Sequence, residues 1–113
     1  MVKQLTINGT GWWVFRDTLE KFEDFKTYGN LRGEKADPYR TGYTIGALNP
    51  VWLEGPEGVR NADYIVYSYQ TPIAWHVQGF GWIMPDTKYS VTTSKAQSRI
   101  RPAVSALNEA QYQ

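Results

Sequence analysis

At 113 residues, 42% of them apolar and 15% aromatic, the chain has the length of one domain, 1–113, able to bury a core by packing alone. It has no cysteine, which excludes disulfides, thiolate metal sites and a cysteine nucleophile and suits a reducing compartment. A net charge of +1 excludes a strong general attraction to nucleic acid or anionic lipid, although residues 64–113 set Lys88, Lys95, Arg99 and Arg101 against only Asp86 and Glu109.

In chain order, VKQLTINGTGWWVF (Val2 to Phe15) places two β-prone runs around Asn8-Gly9, a dipeptide that tolerates the positive φ of a hairpin turn. A hairpin is expected there. Asp17 then precedes TLEKFEDFK with Glu20 three residues on, an Asp form of the capping box, so a helix is expected from Thr18, with Leu19 and Phe22 on its apolar stripe and Gly29 as its stop. From Tyr28 to Asp63, glycines and prolines interrupt every pattern, and short strands near Tyr43 to Ala47 and Val51 to Leu53, or a functional loop, are expected.

Periodicity strengthens in ADYIVYSYQ (Ala62 to Gln70) and PIAWHV (Pro72 to Val77), which alternate as central strands do. Gln70-Thr71-Pro72 forces a turn or bulge, Gly79 and Gly81 flank Phe80 before a third run, and Pro85-Asp86 leads to a last strand over Tyr89 to Thr92. Ser94 and Gln97 then fit the S-x-x-Q capping box, and Ala96, Ile100, Val104 and Leu107 follow helical spacing, with Pro102 kinking that helix or starting a second one. The fold class that follows is α+β: an antiparallel β meander with an N-terminal helix and a C-terminal helix packed on one face. No apolar run reaches the roughly 20 residues that span a bilayer, and the first ten residues lack a signal peptide's apolar region, so a soluble, unexported protein is expected.

Two readings of Thr92-Thr93-Ser94-Lys95 stand side by side. Ser94 as a helix cap accounts for the stretch structurally, with Thr92 and Thr93 as strand residues. Alternatively the helix start offers free N–H groups to an anion, supplemented by Thr93, Ser94 and Lys95, with Arg99 one turn on and Lys88 and Arg101 nearby. Arg32, at the centre of Gly29-Asn30-Leu31-Arg32-Gly33, is either part of a turn or a bidentate contact to the same anion. Tyr67, Tyr69, Trp75 and Trp82 could anchor a partner or stack bases, but a small β-rich domain needs such rings for its core, and that use takes precedence. His76 is the only histidine and reads as a half-buried packing residue, while Ser68 lacks the G-x-S-x-G context of a nucleophile. No catalytic residue, metal ligand set or cofactor is assigned.

Taken together in order and spacing over residues 28–101, GNLRG (Gly29 to Gly33), VYSYQTPIAW (Val66 to Trp75) and WIMPDTKYSVTTSKAQ (Trp82 to Gln97) resemble a family of small uncharacterised proteins encoded by phages of actinobacteria and other bacteria. The resemblance implies a setting, the cytoplasm of a bacterial host, and no reaction. Members of that family often read SKHQ or SRHQ where this chain has Ser94-Lys95-Ala96-Gln97, which removes any role that histidine has elsewhere. The expected function is a non-enzymatic binding module that contacts nucleic-acid phosphate or, alternatively, binds and modulates a host protein through an aromatic surface, with no membrane partner.

Overall fold

The most regular part of the sequence is also the centre of the structure. The structure, a computed structural model, describes residues 2–36, 44–87 and 90–111. Strands β1 (Lys3–Gln4), β2 (Phe25–Lys26), β3 (Leu31–Lys35), β4 (Tyr64–Ser68), β5 (Thr71–Val77) and β6 (Gly81–Ile83) lie side by side in sequence order in one sheet. Helices α1 (Trp12–Glu20) and α2 (Val91–Gln111) complete an α+β fold. All neighbouring strands are antiparallel except β1 and β2, and that parallel pair needs the crossover that α1 supplies. β4 and β5 are joined by Tyr69 and Gln70, with Tyr69 at φ +56°, and the register shifts between Val66 and Tyr67, opposite Pro72, which has no N–H for the ladder.

Every residue of β4 is buried, because both faces of the sheet are covered. On one face α1 and α2 bury Phe15, Leu19, Ile100, Ala103 and Val104 against Phe25, Leu31, Tyr64, Val66, Ile73 and Trp82. On the other, Leu48, Val59 and Ala62, with half-buried Trp52 and Leu53, cover Ile65, Tyr67, Trp75 and Val77. Gly33 permits the closest approach on the helix face: a Cβ there would stand 2.4 Å from both the Phe25 ring and the Tyr64 hydroxyl. The outer edge of β6 is occupied by a side chain of α2, since Asn108 Oδ1 accepts from the Trp82 N–H (3.0 Å) and its Nδ2 donates to the Trp82 carbonyl (2.9 Å).

Several expectations are corrected. No hairpin forms at Asn8-Gly9. Gly9 N–H donates to Thr6 Oγ1 (3.1 Å) in a turn that leads instead into α1, which begins at Trp12 with Gly11 as N-cap. Phe15, Thr18 and Leu19 share one helical face and are buried there, so helical spacing outweighs the β propensity of Trp-Trp-Val-Phe. Asp17 lies inside the helix, paired with Arg16 at 3.2 Å, and is not its cap.

The helix ends at Glu20 and the chain turns out of it at Phe22, well before Gly29. Phe22 N–H donates to the Leu19 carbonyl (3.0 Å) and Glu23 N–H to the Thr18 carbonyl (3.0 Å), a Schellman closure with a left-handed Phe22 (φ +52°) at the position glycine usually takes. The left-handed conformation costs a side-chain-bearing residue about 1 kcal/mol or more. What offsets it is the ring, which contacts His76 (4.8 Å between centroids), Tyr64 (5.9 Å) and Trp82 (6.2 Å, stacked).

Tyr43 lies outside the described residues, as does Tyr89. Residues 44–47 form no strand, and Pro50–Trp52 is a single 3-10 turn whose first N–H groups are met by Asn49, with Val51 N–H donating to Asn49 Oδ1 at 3.0 Å. Val91 and Thr92, expected to end a strand, open α2. That helix runs through Pro102 without dividing, and Pro102 is exposed, where water can take the carbonyl it leaves unbonded.

Candidate functional site

The start of α2 is capped by Ser90. Its Oγ accepts from the Thr93 N–H (3.2 Å) and its carbonyl from the Ser94 N–H (2.9 Å), which puts Ser94 inside the first turn and corrects its assignment as cap. Gln97 closes no capping box; its Nε2 donates to the Thr87 carbonyl at 3.0 Å and ties the approaching chain to the helix. Thr93 is buried, and its Oγ1 accepts from Ser68 Oγ (3.0 Å), which in turn accepts from Asn30 Nδ2 (2.5 Å). This chain of polar groups anchors α2 to the β3–β4 side of the sheet. Thr93 is therefore committed internally and offers nothing to a ligand.

The remaining predicted cations separate into two groups. Lys95 and Arg99 are exposed, four residues apart on one face of α2, and Lys95 makes no ion pair among the described residues. Arg101 is also exposed and pairs with Asp86 at 3.4 Å; with Ser94 and Ser98 it lines a cleft of about 400 Å³. Lys88 lies outside the described residues. Arg32 belongs to the other group. Its guanidinium lies 4.2 Å from the centre of the Tyr67 ring, pairs with Glu34 (2.8 Å) and donates to the Tyr69 carbonyl, so it sits on the sheet face away from the helices.

Three of the four aromatics named as interaction anchors are core residues: Tyr67, Trp75 and Trp82 are 4%, 0% and 7% exposed, and Trp75 Nε1 donates to the Glu57 carbonyl at 2.9 Å. They hold the sheet and its covers together. Tyr69 is exposed, at the β4–β5 turn.

The exposed indoles are elsewhere, at Trp12 (41%) and Trp13 (55%), in a stretch whose β propensity predicts a hairpin strand. The signal for them was the helical spacing of Phe15, Thr18 and Leu19, which directs the preceding turn outward. Their rings meet edge to face at 6.3 Å, and the Arg16 guanidinium stands 5.3 Å from the centre of the Trp12 ring. Together with Asn8, Gly11, Ser98, Arg99 and Pro102 they line a cleft of about 450 Å³ between the residue 8–11 turn and the middle of α2. Arg99 Nη2 donates to Asn8 Oδ1 (3.2 Å) across it, and among the described residues Arg99 is its only charged lining residue. Gly11 contributes no side-chain cap to α1.

His76 has a partner that sequence could not assign. Its Nδ1 lies 2.7 Å from Asp63 Oδ1, and its ring is flanked by Phe22 and Trp82 at 4.8 and 5.2 Å. These contacts orient the imidazole as part of the helix-side packing. The titration of Tyr64 is strongly displaced: burial, then the nearby carboxylates of Asp24, Glu23 and Glu34, push its phenol well above the ordinary tyrosine range. It stays a hydrogen-bond donor, to the Glu23 carbonyl at 2.6 Å. Among the described residues no three His, Asp or Glu side chains converge as a metal site would need, and no helix is long and apolar enough to cross a membrane.

The chain belongs to a family of unknown function, DUF8033, whose sequence model matches residues 7–103. The matched span begins well before the 28–101 stretch on which the sequence resemblance was read, so it includes α1 and both walls of the Trp12–Arg99 cleft. No curated protein and no solved structure matches the chain.

Proposed function

We propose that this protein is a non-enzymatic binding module that engages nucleic acid through the exposed face of α2, in the cytoplasm of a bacterium infected by a phage that encodes it. The observation that carries the reading is the placement of Lys95 and Arg99 on one open helical face, with Arg99 bordering a cleft walled by two exposed indoles. Cations at one-turn spacing follow a phosphate chain, and aromatic faces beside them add stacking, the combination by which nucleic-acid binders gain affinity without reading sequence. Phage setting and cytoplasmic location rest on the resemblance of the three sequence stretches.

The test is a salt titration of oligonucleotide binding. Affinity should fall linearly on a log–log scale with salt, and Lys95→Ala and Arg99→Ala should each reduce the slope by about 0.7 to 0.9 while leaving the fold intact. Absence of binding at low ionic strength removes the proposal.

A second reading, a module that binds and modulates a host protein, has one observation in its favour. On the other side of the sheet, exposed Val51 and Phe80 with Trp52 and Pro56 line a cleft of about 280 Å³ that carries Glu54 and Glu57 and, among the described residues, no cation. That reading requires a stoichiometric host protein that survives nuclease treatment and is lost on Val51→Asp or Phe80→Asp.

A further inference from the structure

Phosphate contacts alone do not distinguish a duplex from a single strand, but the cleft beside Arg99 does. Its lining combines a broad aromatic surface, Trp12 and Trp13, with the guanidinium of Arg99 and the amide of Asn8. Its volume of about 450 Å³ falls in the range of about 300–1,000 Å³ typical of small-molecule sites. Asn8 gives its Oδ1 to Arg99, and its Nδ2 has no protein acceptor among the described residues, so a donor is left for the edge of a ring. Arg99 uses one guanidinium nitrogen on Asn8 and keeps the others for an anion.

We infer that this cleft receives an unpaired base of a single-stranded nucleic acid, stacked on Trp13, with the adjoining phosphate on Arg99. The inference rests on the nucleic-acid reading above and narrows it to strands whose bases are free. In a duplex both faces of each base are covered by its neighbours, so an indole gains a stacking partner only from a single strand, loop or end.

A second feature shows that the stacking surface is held in place. The Trp13 indole lies directly against the Cα of Gly11, where a Cβ would come within 2.6 Å of its ring. Gly11 has φ −68° and ψ 152°, a conformation open to any residue, so space for the ring and not backbone freedom is what the glycine supplies. Gly11 is thus a positioning residue for Trp13. Gly11→Ala should displace the indole while leaving α1 in place, because Trp13 is outside the core.

The experiment compares oligo(dT) with a duplex of equal phosphate count, followed by intrinsic tryptophan fluorescence. Trp75 and Trp82 are buried, and Trp52 is half-buried against Trp75 on the other face of the sheet, away from the cleft, which leaves Trp12 and Trp13 as the reporters of a base stacked there. Single-strand binding should quench fluorescence and exceed duplex affinity; Trp13→Ala should weaken it about ten-fold, as loss of one stacked base predicts, without changing the salt slope. Gly11→Ala should weaken it in the same direction, and Arg99→Gln should instead lower the slope. Melting curves for the three variants establish that each is folded. Equal affinity for both nucleic acids, with Trp13→Ala behaving as wild type, overturns the base site and leaves the phosphate reading standing. No binding to either at low salt overturns both.

Discussion

The two covers of the sheet do the same physical work by different means. On one side α1 and α2 bring residues at helical spacing, and on the other a segment with a 3-10 turn at Pro50–Trp52, capped by Asn49, and one without a side-chain cap at Val59–Asn61 brings Leu48, Trp52, Val59 and Ala62. The irregular side still buries Trp75 completely and gives its indole N–H an acceptor. Regular secondary structure is therefore one way to bring apolar side chains to a sheet, and closely spaced turns with satisfied backbone groups are another.

The sharpest way to break the comparison is to remove one large ring from each side. Trp75→Ala and Phe15→Ala should each cost about 3–5 kcal/mol, because both rings are fully buried. Denaturant unfolding measures the pair. A cost below about 1 kcal/mol for Trp75→Ala would mean that the irregular cover is only loosely attached. A pH series probes the helix side further. The folded protein holds the Tyr64 phenol protonated, whereas an unfolded chain ionises near pH 10, so stability should be full below about pH 10 and fall as pH rises above it. Tyr64→Phe should flatten that alkaline limb in thermal melts, at the expense of the hydrogen bond to Glu23.

Smaller effects test how α2 is tied down. Asn108→Ala removes the clip on β6 and should cost about 1–3 kcal/mol, since it leaves the backbone groups of Trp82 without their partners. Ser90→Ala should cost about 1 kcal/mol as the loss of a helix cap, whereas Ser94→Ala, one turn inside α2, should stay within about 0.5 kcal/mol. The reverse order for the two serines would restore Ser94 as the cap.

What was legible in the sequence follows from the range of the forces involved. The β4–β5–β6 meander, its irregularity at Pro72 and the helical spacing of Ala96, Ile100, Val104 and Leu107 are local patterns, and each formed as read. The candidate site was legible only in part. Lys95, Arg99 and Arg101 are exposed on α2, but Thr93 is drawn inward by Ser68, Arg32 is held across the sheet by Tyr67, and the exposed indoles are Trp12 and Trp13.

By itself, the sequence determined the alternation of the central strands, the amphipathic face of α2 and the α+β class, because side-chain periods of 2 and 3.6 are set within a few residues. Only the tertiary structure decided that Trp12 to Phe15 are helical, since Phe15 is buried edge-on to Phe25 at 5.8 Å. It also decided that α1 stops at a left-handed Phe22, whose strain is offset by His76, Tyr64 and Trp82 from distant strands. The Trp13–Arg99 cleft depends in the same way on Asn8 meeting Arg99 across 91 positions of chain. Such contacts outweigh local propensities worth a few tenths of a kcal/mol to about 1 kcal/mol per residue, and they exist only once the remote partners have been packed together.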